Sequence, residues 1–202
     1  MRLIVILAGI LVFGTAHADP LSGQALVAAL HQGGYIILMR HASSPATPPM
    51  AASAEPDNTR LERQLDDTGR YSAQAMGRAI KALQIPVGEV LASPTYRAQQ
   101  TARLASLLDA TIAIELGDAG HSMQPITKDQ TAWLQSKLAE SPRPGTNTII
   151  VTQFPNIQAA LGQSAAGLAD GEALVVRPDV QGADAIVGRM KIEEWPALAA
   201  PG

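Results

Sequence analysis

Arg40 and His41 stand side by side, directly after the apolar run of residues 36–39. That run is continuous and rich in β-branched side chains, which predicts a buried strand. In an open α/β sheet, ligands bind at the carboxyl ends of the strands. A guanidinium offers donors suited to phosphate oxygens, and an imidazole nitrogen can attack phosphorus or transfer a proton near neutral pH. Taken alone, the pair favours an ordinary polar turn over a site.

Two further predicted strands end in polar residues in the same way. One ends at Ala92 and is soon followed by Arg97, and the other ends at Thr152 and is followed by Gln153. If the strands are parallel, these residues share one sheet edge with His41. Arg97 falls in the first turn of a predicted helix, whose N-terminus also favours an anion. The pattern predicts an anion site, although a lone helical arginine is usually a solvated surface residue.

The elements that must position these residues alternate along the chain. Predicted helices alternate with predicted strands over residues 22–187, and this order favours an α/β fold. We expect a three-layer sandwich with a mostly parallel central sheet and helices on both faces. Local signals mark several helix starts: Ser22, Asp66, Ser93 with Pro94 at the first helical position, and Thr127 with Gln130 as a capping box. Residues from Pro196 onward are expected to form a tail.

A long segment rich in Ala, Pro and Ser, residues 42–65, follows His41. Its length is unusual for a connection within a compact domain, and such loops often cover binding sites. A lid over Arg40 and His41 and a floppy insertion are equally compatible with the sequence.

Composition and the N-terminus limit the possible functions. The chain has 202 residues, 47% hydrophobic, enough for one domain. Residues 1–18 combine Arg2, an apolar run over 3–13 and the small-residue site Ala16-His17-Ala18, which predicts a signal peptide, an exported protein and a mature domain of residues 19–202. The apolar run is too short to span a membrane. We therefore expect a periplasmic or secreted protein without stable membrane insertion.

The charge and the cysteine count are also informative. Removing residues 1–18 takes away one positive charge, so the formal net charge changes from −3 to −4. This mild acidity gives no reason to expect a nucleic acid partner. The chain has no cysteine, which excludes disulfides, thiolate metal sites and cysteine nucleophiles. We expect neither a cofactor nor a metal ion.

Four stretches, in order, resemble motifs of the histidine phosphatase superfamily, in its phosphoglycerate mutase-like branch. They are LMRHA at 38–42, LDDTGR at 65–70, ASPTYRAQQTA at 92–102 and TIIVTQFPNI at 148–157. The resemblance covers about residues 35–157. It implies a phosphoglycerate mutase-like fold and a phosphatase that works through a phosphohistidine.

The resemblance also implies roles for individual residues. His41 would be the nucleophile, and Arg40 and Arg97 would hold the phosphoryl oxygens. The family's leaving-group acid lies in the loop after the third strand along the chain, which we predict here at residues 111–115. Asp118 is the first candidate and Glu115 the second. Asp118 is equally compatible with a turn-forming role between glycines. Ser43 is expected to contact the substrate.

Two positions depart from the family pattern. Ala42 replaces the usual glycine, a mild change. Gln153 stands where the family has a second histidine, and an amide donates a hydrogen bond but carries no charge. His121, in the same loop as Asp118, could in principle turn into the site and compensate, although a solvated loop histidine is the more usual role.

Two functions follow. The first is an exported phosphomonoesterase acting on a small or envelope-associated phosphorylated substrate, with activity reduced by Gln153. The alternative is an inactive protein that binds phosphate or a phosphoester.

Overall fold

The protein is built around one six-stranded mixed sheet, in a computed structural model that describes residues 20–117, 126–180 and 182–200. The strands are β1 (Ile36–Arg40), β2 (Val87–Ala92), β3 (Thr111–Ile112), β4 (Asn147–Thr152), β5 (Ala173–Val176) and β6 (Ile186–Met190). Their order across the sheet is β3-β2-β4-β1-β5-β6. The first four in that order are parallel neighbours, while β5 runs antiparallel to both β1 and β6.

Helices cover both faces of the sheet. They are α1 (Gly23–His31), α2 (Asp67–Ala82), α3 (Tyr96–Ala105), α4 (Lys128–Leu138), α5 (Phe154–Leu161) and α6 (Glu194–Ala199). Alternate residues of β1 face opposite sides. Ile37 and Met39 join a core formed with α1, α2, α3 and α6, whereas Ile36 and Leu38 join a core formed with α4 and α5. The α/β prediction of three layers and a mostly parallel sheet is confirmed.

Helix α2 approaches its neighbours closely because two of its positions are glycine. Asp66 caps the helix, with its carboxylate accepting from the Gly69 amide at 2.7 Å. A Cβ at Gly69 would overlap the carbonyl of Ser43, and a Cβ at Gly77 would overlap the carbonyl of Ala105 in α3. These glycines let α2 pack directly on the segment after His41 and on the helix that carries Arg97.

Two local predictions are wrong. Helix α3 begins at Tyr96 with Thr95 as its N-cap, not at Pro94 with Ser93 as the cap. Ser93 instead extends the sheet, since its amide donates to the Val151 carbonyl at 2.9 Å. Likewise, the third predicted strand shortens to Thr111–Ile112 and is followed by a 3-10 turn, Ile114–Leu116.

The predicted tail is helix α6. Its Trp195 is fully buried in the core beside α1 and α2. Pro196 is tolerated because it lies in the first helical turn, where an amide has no intrahelical partner.

The long segment 42–65 is folded against the rest of the protein. Asn58 bonds the backbone of Glu62 twice, donating at 2.7 Å and accepting at 2.9 Å. The Leu65 amide donates to the Gln100 side chain of α3 at 2.7 Å. These bonds rule out a floppy insertion, since they tie the loop to itself and to α3.

Three predicted features lie outside the described residues: the signal peptide of residues 1–18, the acid candidate Asp118, and His121. Within the part of the chain that the structure describes, no helix is both long and apolar enough to cross a membrane.

Candidate active site

His41 lies at the carboxyl end of β1, held from several sides. Its amide donates to the Thr152 carbonyl at 2.9 Å, and its own carbonyl accepts from the Gly171 amide at 2.9 Å. The next amide, of Ala42, donates to the Thr101 hydroxyl of α3 at 3.1 Å. The side chain is only 3% exposed. Strand β4 on one side, the loop before β5 on the other, and helix α3 therefore fix the position of this residue.

The hydrogen bonds of the His41 ring define its tautomer. Nδ1 lies 2.8 Å from the Ala42 carbonyl oxygen, which can only accept, so Nδ1 carries the proton. Nε2 lies 3.0 Å from Nε of Arg97, which can only donate, so Nε2 carries the lone pair. The arrangement leaves a nucleophilic nitrogen directly beside a buried guanidinium.

Burial lowers the pKa of His41 from its ordinary value of 6.5 to about 3. The hydrogen bond to the Ala42 carbonyl opposes this shift, and the positive charges of Arg97, Arg40 and Arg63 add to it. The imidazole is therefore neutral at physiological pH, as a nucleophile must be.

Arg40 is held at the rim of the site by the loop that precedes β5. Its Nη1 donates to the Leu168 carbonyl at 3.1 Å, and its Nη2 lies 2.5 Å from a carboxylate oxygen of Asp170. Its guanidinium also lies over the Phe154 ring, 5.9 Å from the centroid. Arg40 Nε is buried and has no hydrogen-bond partner among the described residues. This N–H is the inner donor available to a ligand.

Arg63 is a third arginine of the site, and the sequence analysis missed it. It belongs to the segment 42–65, where its Nε donates to the Pro45 carbonyl at 2.6 Å and its Nη2 to the Ser44 carbonyl at 3.1 Å. Burial lowers the pKa of Arg63, the nearby carboxylate of Asp170 raises it, and Arg40 lowers it. The only sequence signal for Arg63 was its place in the long loop after His41.

Gln153 and Ser43 occupy defined positions next to these groups. Gln153 is the N-cap of α5, and its Oε1 lies 2.8 Å from the Thr152 hydroxyl as acceptor. No described residue accepts from its amide nitrogen. Ser43 donates to the Asp66 carboxylate at 2.8 Å, so its hydroxyl hydrogen serves the cap of α2. Roles in substrate binding stay predictions for both residues.

The N-terminus of α3 is already occupied by a carboxylate. Glu62 Oε2 accepts from the Tyr96 amide at 2.9 Å, and Glu62 is buried. We expected this helix end to attract the bound anion, and that expectation is wrong, because the protein supplies its own anion there. The helix contributes the Arg97 side chain instead.

The position of the leaving-group acid is less defined. Asp118 and His121 lie outside the described residues, and Glu115 is partly buried in the turn Ile114–Leu116. Their roles stay predictions. Within residues 20–117, 126–180 and 182–200, no three acidic, histidine or cysteine side chains cluster in a way that could hold a metal ion.

Comparison with a family model gives a match over more than half of the chain. The model describes the histidine phosphatase superfamily (branch 1), and it matches residues 36–141. The matched region contains Arg40, His41, Arg63 and Arg97, but ends before Gln153. A search among curated proteins gives no significant match.

Solved structures with the same fold include proteins named SixA. The structure of the protein histidine phosphatase SixA complexed with tungstate has a TM-score of 0.53 and 17% identity, covering 78% of this chain and 97% of the other. A protein from Agrobacterium tumefaciens assigned as a phosphohistidine phosphatase SixA has a TM-score of 0.53 and 15% identity, covering 78% of this chain and 97% of the other. A protein from Thermus thermophilus, TTHB049, has a TM-score of 0.50 and 17% identity, covering 78% of this chain and 99% of the other. At these identities the likeness shows the fold alone.

Proposed function

The chain belongs to branch 1 of the histidine phosphatase superfamily, and from this premise we propose that it hydrolyses a small phosphomonoester through a phosphohistidine formed on His41. One observation carries the proposal: the neutral His41 ring presents its Nε2 lone pair 3.0 Å from the Arg97 guanidinium. A nucleophile and a charged donor for the phosphoryl oxygens are thereby placed together, which is what phosphoryl transfer requires.

The first chemical step needs Arg97 to change partners. In the ligand-free arrangement the Arg97 Nε–H donates to the His41 lone pair. A bound phosphate would take this donor, freeing Nε2 to attack phosphorus. The N–P bond forms as the bond between phosphorus and the leaving oxygen breaks, and that oxygen takes a proton from an acid. Arg40 Nε and Arg97 would stabilise the charge on the phosphoryl oxygens.

The second step returns the enzyme to its starting state. Water attacks the phosphohistidine, the N–P bond breaks, and inorganic phosphate leaves with neutral His41 restored. Throughout, the Nδ1–H donates to the Ala42 carbonyl, which stabilises the ring while it is positively charged. We assign the acid and base roles to Asp118, or to Glu115 in its place.

We also propose that the protein is exported and acts on a small or envelope-associated phosphorylated substrate. This rests on the signal-peptide pattern of residues 1–18. The uncharged Gln153 at the position of the family's second histidine is expected to reduce the rate rather than abolish it, since the nucleophile and the arginines are present.

The test is turnover of an aryl phosphate by the native protein and by two histidine variants. His41→Ala should abolish turnover. His31→Gln is the matched control, because His31 is exposed at the end of α1, and it should retain activity. A quench of the native protein in base should trap phosphate that is stable in alkali and labile in acid, as phosphohistidine is.

Two results would contradict the proposal. Equal turnover by the native protein and His41→Ala would exclude His41 as the nucleophile. Phosphate or vanadate binding without any turnover would replace the phosphatase by the inactive phosphate-binding protein.

A further inference from the structure

Among the described residues, the charged side chains around His41 carry a small net positive charge. Arg40, Arg63 and Arg97 all act on the imidazole, and Asp170 is ion-paired to Arg40 at 2.5 Å. Three guanidinium groups and one carboxylate leave two positive charges. A phosphomonoester dianion carries close to two negative charges at neutral pH. The phosphate alone would therefore neutralise this part of the site.

Other arginines near the segment 42–65 are each paired with a carboxylate, which offsets the positive charge that they would offer to a second anionic group. These pairs are Arg60–Glu62 at 3.1 Å, Arg70–Glu55 at 3.4 Å, Arg70–Asp67 at 2.6 Å and Arg103–Asp57 at 2.6 Å. Residues 118–125, which connect toward α4, include Asp118 but no lysine or arginine. A substrate carboxylate beside the phosphate would therefore meet, among these described arginines, only ones that already have a carboxylate partner.

Asp170 has one carboxylate oxygen buried against Arg40. That oxygen, Oδ1, is buried, yet the side chain as a whole is 36% exposed, so the exposure belongs to its other side-chain atoms. The residues on both sides of Asp170 are hydrogen-bonded: the Ala169 amide donates to the Glu172 carboxylate at 2.8 Å, and the Gly171 amide donates to the His41 carbonyl at 2.9 Å. Asp170 therefore places a negative charge at the rim of the site.

We propose that Asp170 selects the substrate by charge, favouring a leaving group that carries a positive charge and disfavouring one that carries a carboxylate. The proposal rests on the proposed function for the identity of the site. A phosphate held by the other donors of Arg40 would lie roughly 5–7 Å from the Asp170 carboxylate, given direct hydrogen bonds of about 3 Å on the same guanidinium. The atoms attached to that phosphate on the rim side would approach Asp170 most closely.

Binding of three phosphonates that cannot be hydrolysed tests the charge selection without requiring turnover. They are 2-aminoethylphosphonate, 2-hydroxyethylphosphonate and phosphonoacetate, which present a cation, a neutral group and an anion at similar distances from phosphorus. The native protein should bind them in that order. Between neighbouring members we expect about a fivefold difference in Kd, the value for unit charges interacting across a partly solvated site.

Asp170→Asn should flatten this series. The asparagine oxygen can still accept from Arg40, so the guanidinium keeps a partner, while the fixed charge is lost. The cation should lose its advantage over the neutral ligand, and the anion its disadvantage. Because ratios between ligands are compared, a general loss of affinity from a displaced Arg40 cancels.

Asp179→Asn is the matched control. Asp179 is exposed beyond the end of β5, and β5 runs antiparallel to β1, so this residue lies at the opposite edge of the sheet from His41. Asp179→Asn should bind the three phosphonates in the same order of affinity as the native protein. Equal affinities of the native protein for all three ligands, or an unchanged series in Asp170→Asn, would overturn the proposal.

Turnover of phosphoethanolamine and phosphoglycolate, measured beside the binding series, separates the two proposals. A graded binding series without turnover of any substrate would contradict the phosphatase function and support the charge selection. Turnover whose kcat/KM does not depend on the substrate's charge would support the phosphatase function and contradict the charge selection.

Discussion

His41 has the properties of a nucleophile because of its neighbours. The Ala42 carbonyl fixes the tautomer, burial keeps the ring neutral, and Arg97 lies at the nitrogen that would react. Burial and the charge of Arg97 oppose protonation of the His41 ring, and the Ala42 carbonyl directs the lone pair to Nε2. A neutral buried histidine has a thermodynamic cost in acid, which gives a test independent of activity.

The free energy of unfolding should fall with decreasing pH because of His41. Its pKa is about 3 in the folded protein and near 6.5 when exposed, so the unfolded chain binds the extra proton between these values. The contribution of His41 is complete above about pH 6.5 and is lost as pH falls toward 3. Native protein should lose roughly 2 kcal/mol more than His41→Asn between pH 7 and pH 5.

Urea unfolding of both proteins at the two pH values measures this difference. Carboxylate effects are common to both proteins and cancel in the comparison. Parallel loss of stability in the two would mean that the His41 ring is charged, or accessible, in the folded state.

Gln153 is the residue where a single substitution should increase activity. Gln153 directly follows Thr152, the last residue of β4, whose carbonyl accepts from the His41 amide at 2.9 Å. Gln153→His would add a charged donor, and we expect turnover to rise by up to about 100-fold. Phosphate inhibition should change less, because charge redistributes most in the transition state. The increase in turnover should become smaller as pH rises past about 6.5, the ordinary pKa of histidine, because the new side chain loses its charge.

The measurement is kcat and phosphate inhibition of the native protein, Gln153→His and Gln163→His. Gln163 is exposed in the turn after α5 and serves as the matched control. If Gln153→His leaves kcat unchanged in an active enzyme, another group already supplies the charge, and His121 is the residue to substitute next.

At the scale of elements, α3 depends on the segment 42–65. The Thr95 side chain makes no capping hydrogen bond to the helix, and the Glu62 carboxylate accepts from the Tyr96 amide instead. The adjacent residue, Arg97, donates to His41. The loop therefore stabilises the helix end that positions the site, in addition to contributing Arg63.

Removing the Glu62 carboxylate should weaken both the fold and the site. Glu62→Ala leaves the Tyr96 amide and Arg60 without this partner, at an expected cost of about 1–3 kcal/mol in the free energy of unfolding. Glu62→Gln keeps an acceptor and should cost about 1 kcal/mol or less. In both variants kcat/KM should decrease in the same order, because Arg97 loses its fixed position.

Urea unfolding and turnover of an aryl phosphate measure these effects, with Glu55→Gln as the control. Glu55 pairs with Arg70 at 3.4 Å on a partly exposed surface, where such pairs contribute little. Full stability and activity in Glu62→Ala would show that α3 needs no anion at its N-terminus.

At the scale of the whole molecule, the N-terminal residues that follow the predicted cleavage site belong to the fold. The Leu21 amide donates to the Val187 carbonyl of β6 at 2.7 Å, and Leu21 pairs with Gly188. A mature protein that began at Asp19 would keep this pairing intact.

We therefore expect the mature protein to begin at Asp19, and intact-mass spectrometry of protein recovered from the cell envelope measures this directly. The pattern of Arg2, the apolar run and Ala16-His17-Ala18 motivates the expectation. Recovery of a chain that retains Met1 would contradict both cleavage and the proposed route of export.

The sequence by itself determined the features that depend on neighbouring residues. The apolar run before Arg40 specified a buried strand, Asp66 and the Thr127–Gln130 box specified helix starts, and all three are present. These signals work because a strand's burial and a helix's first amides involve residues only a few positions apart. The Ser93 cap was wrong because the sheet used that residue's amide before the helix could begin.

Only the tertiary structure decided which further side chains surround His41. Arg97 was already expected at the sheet edge of His41, whereas nothing in the sequence indicated that Glu62 reaches the Tyr96 amide across 34 positions. Arg63 and Asp170 come from two loops with no periodic pattern to mark them. Their placement follows from the strand order, which sets β1 between β4 and β5. Such contacts depend on how the chain closes in space, and spacing along the sequence carries no record of it.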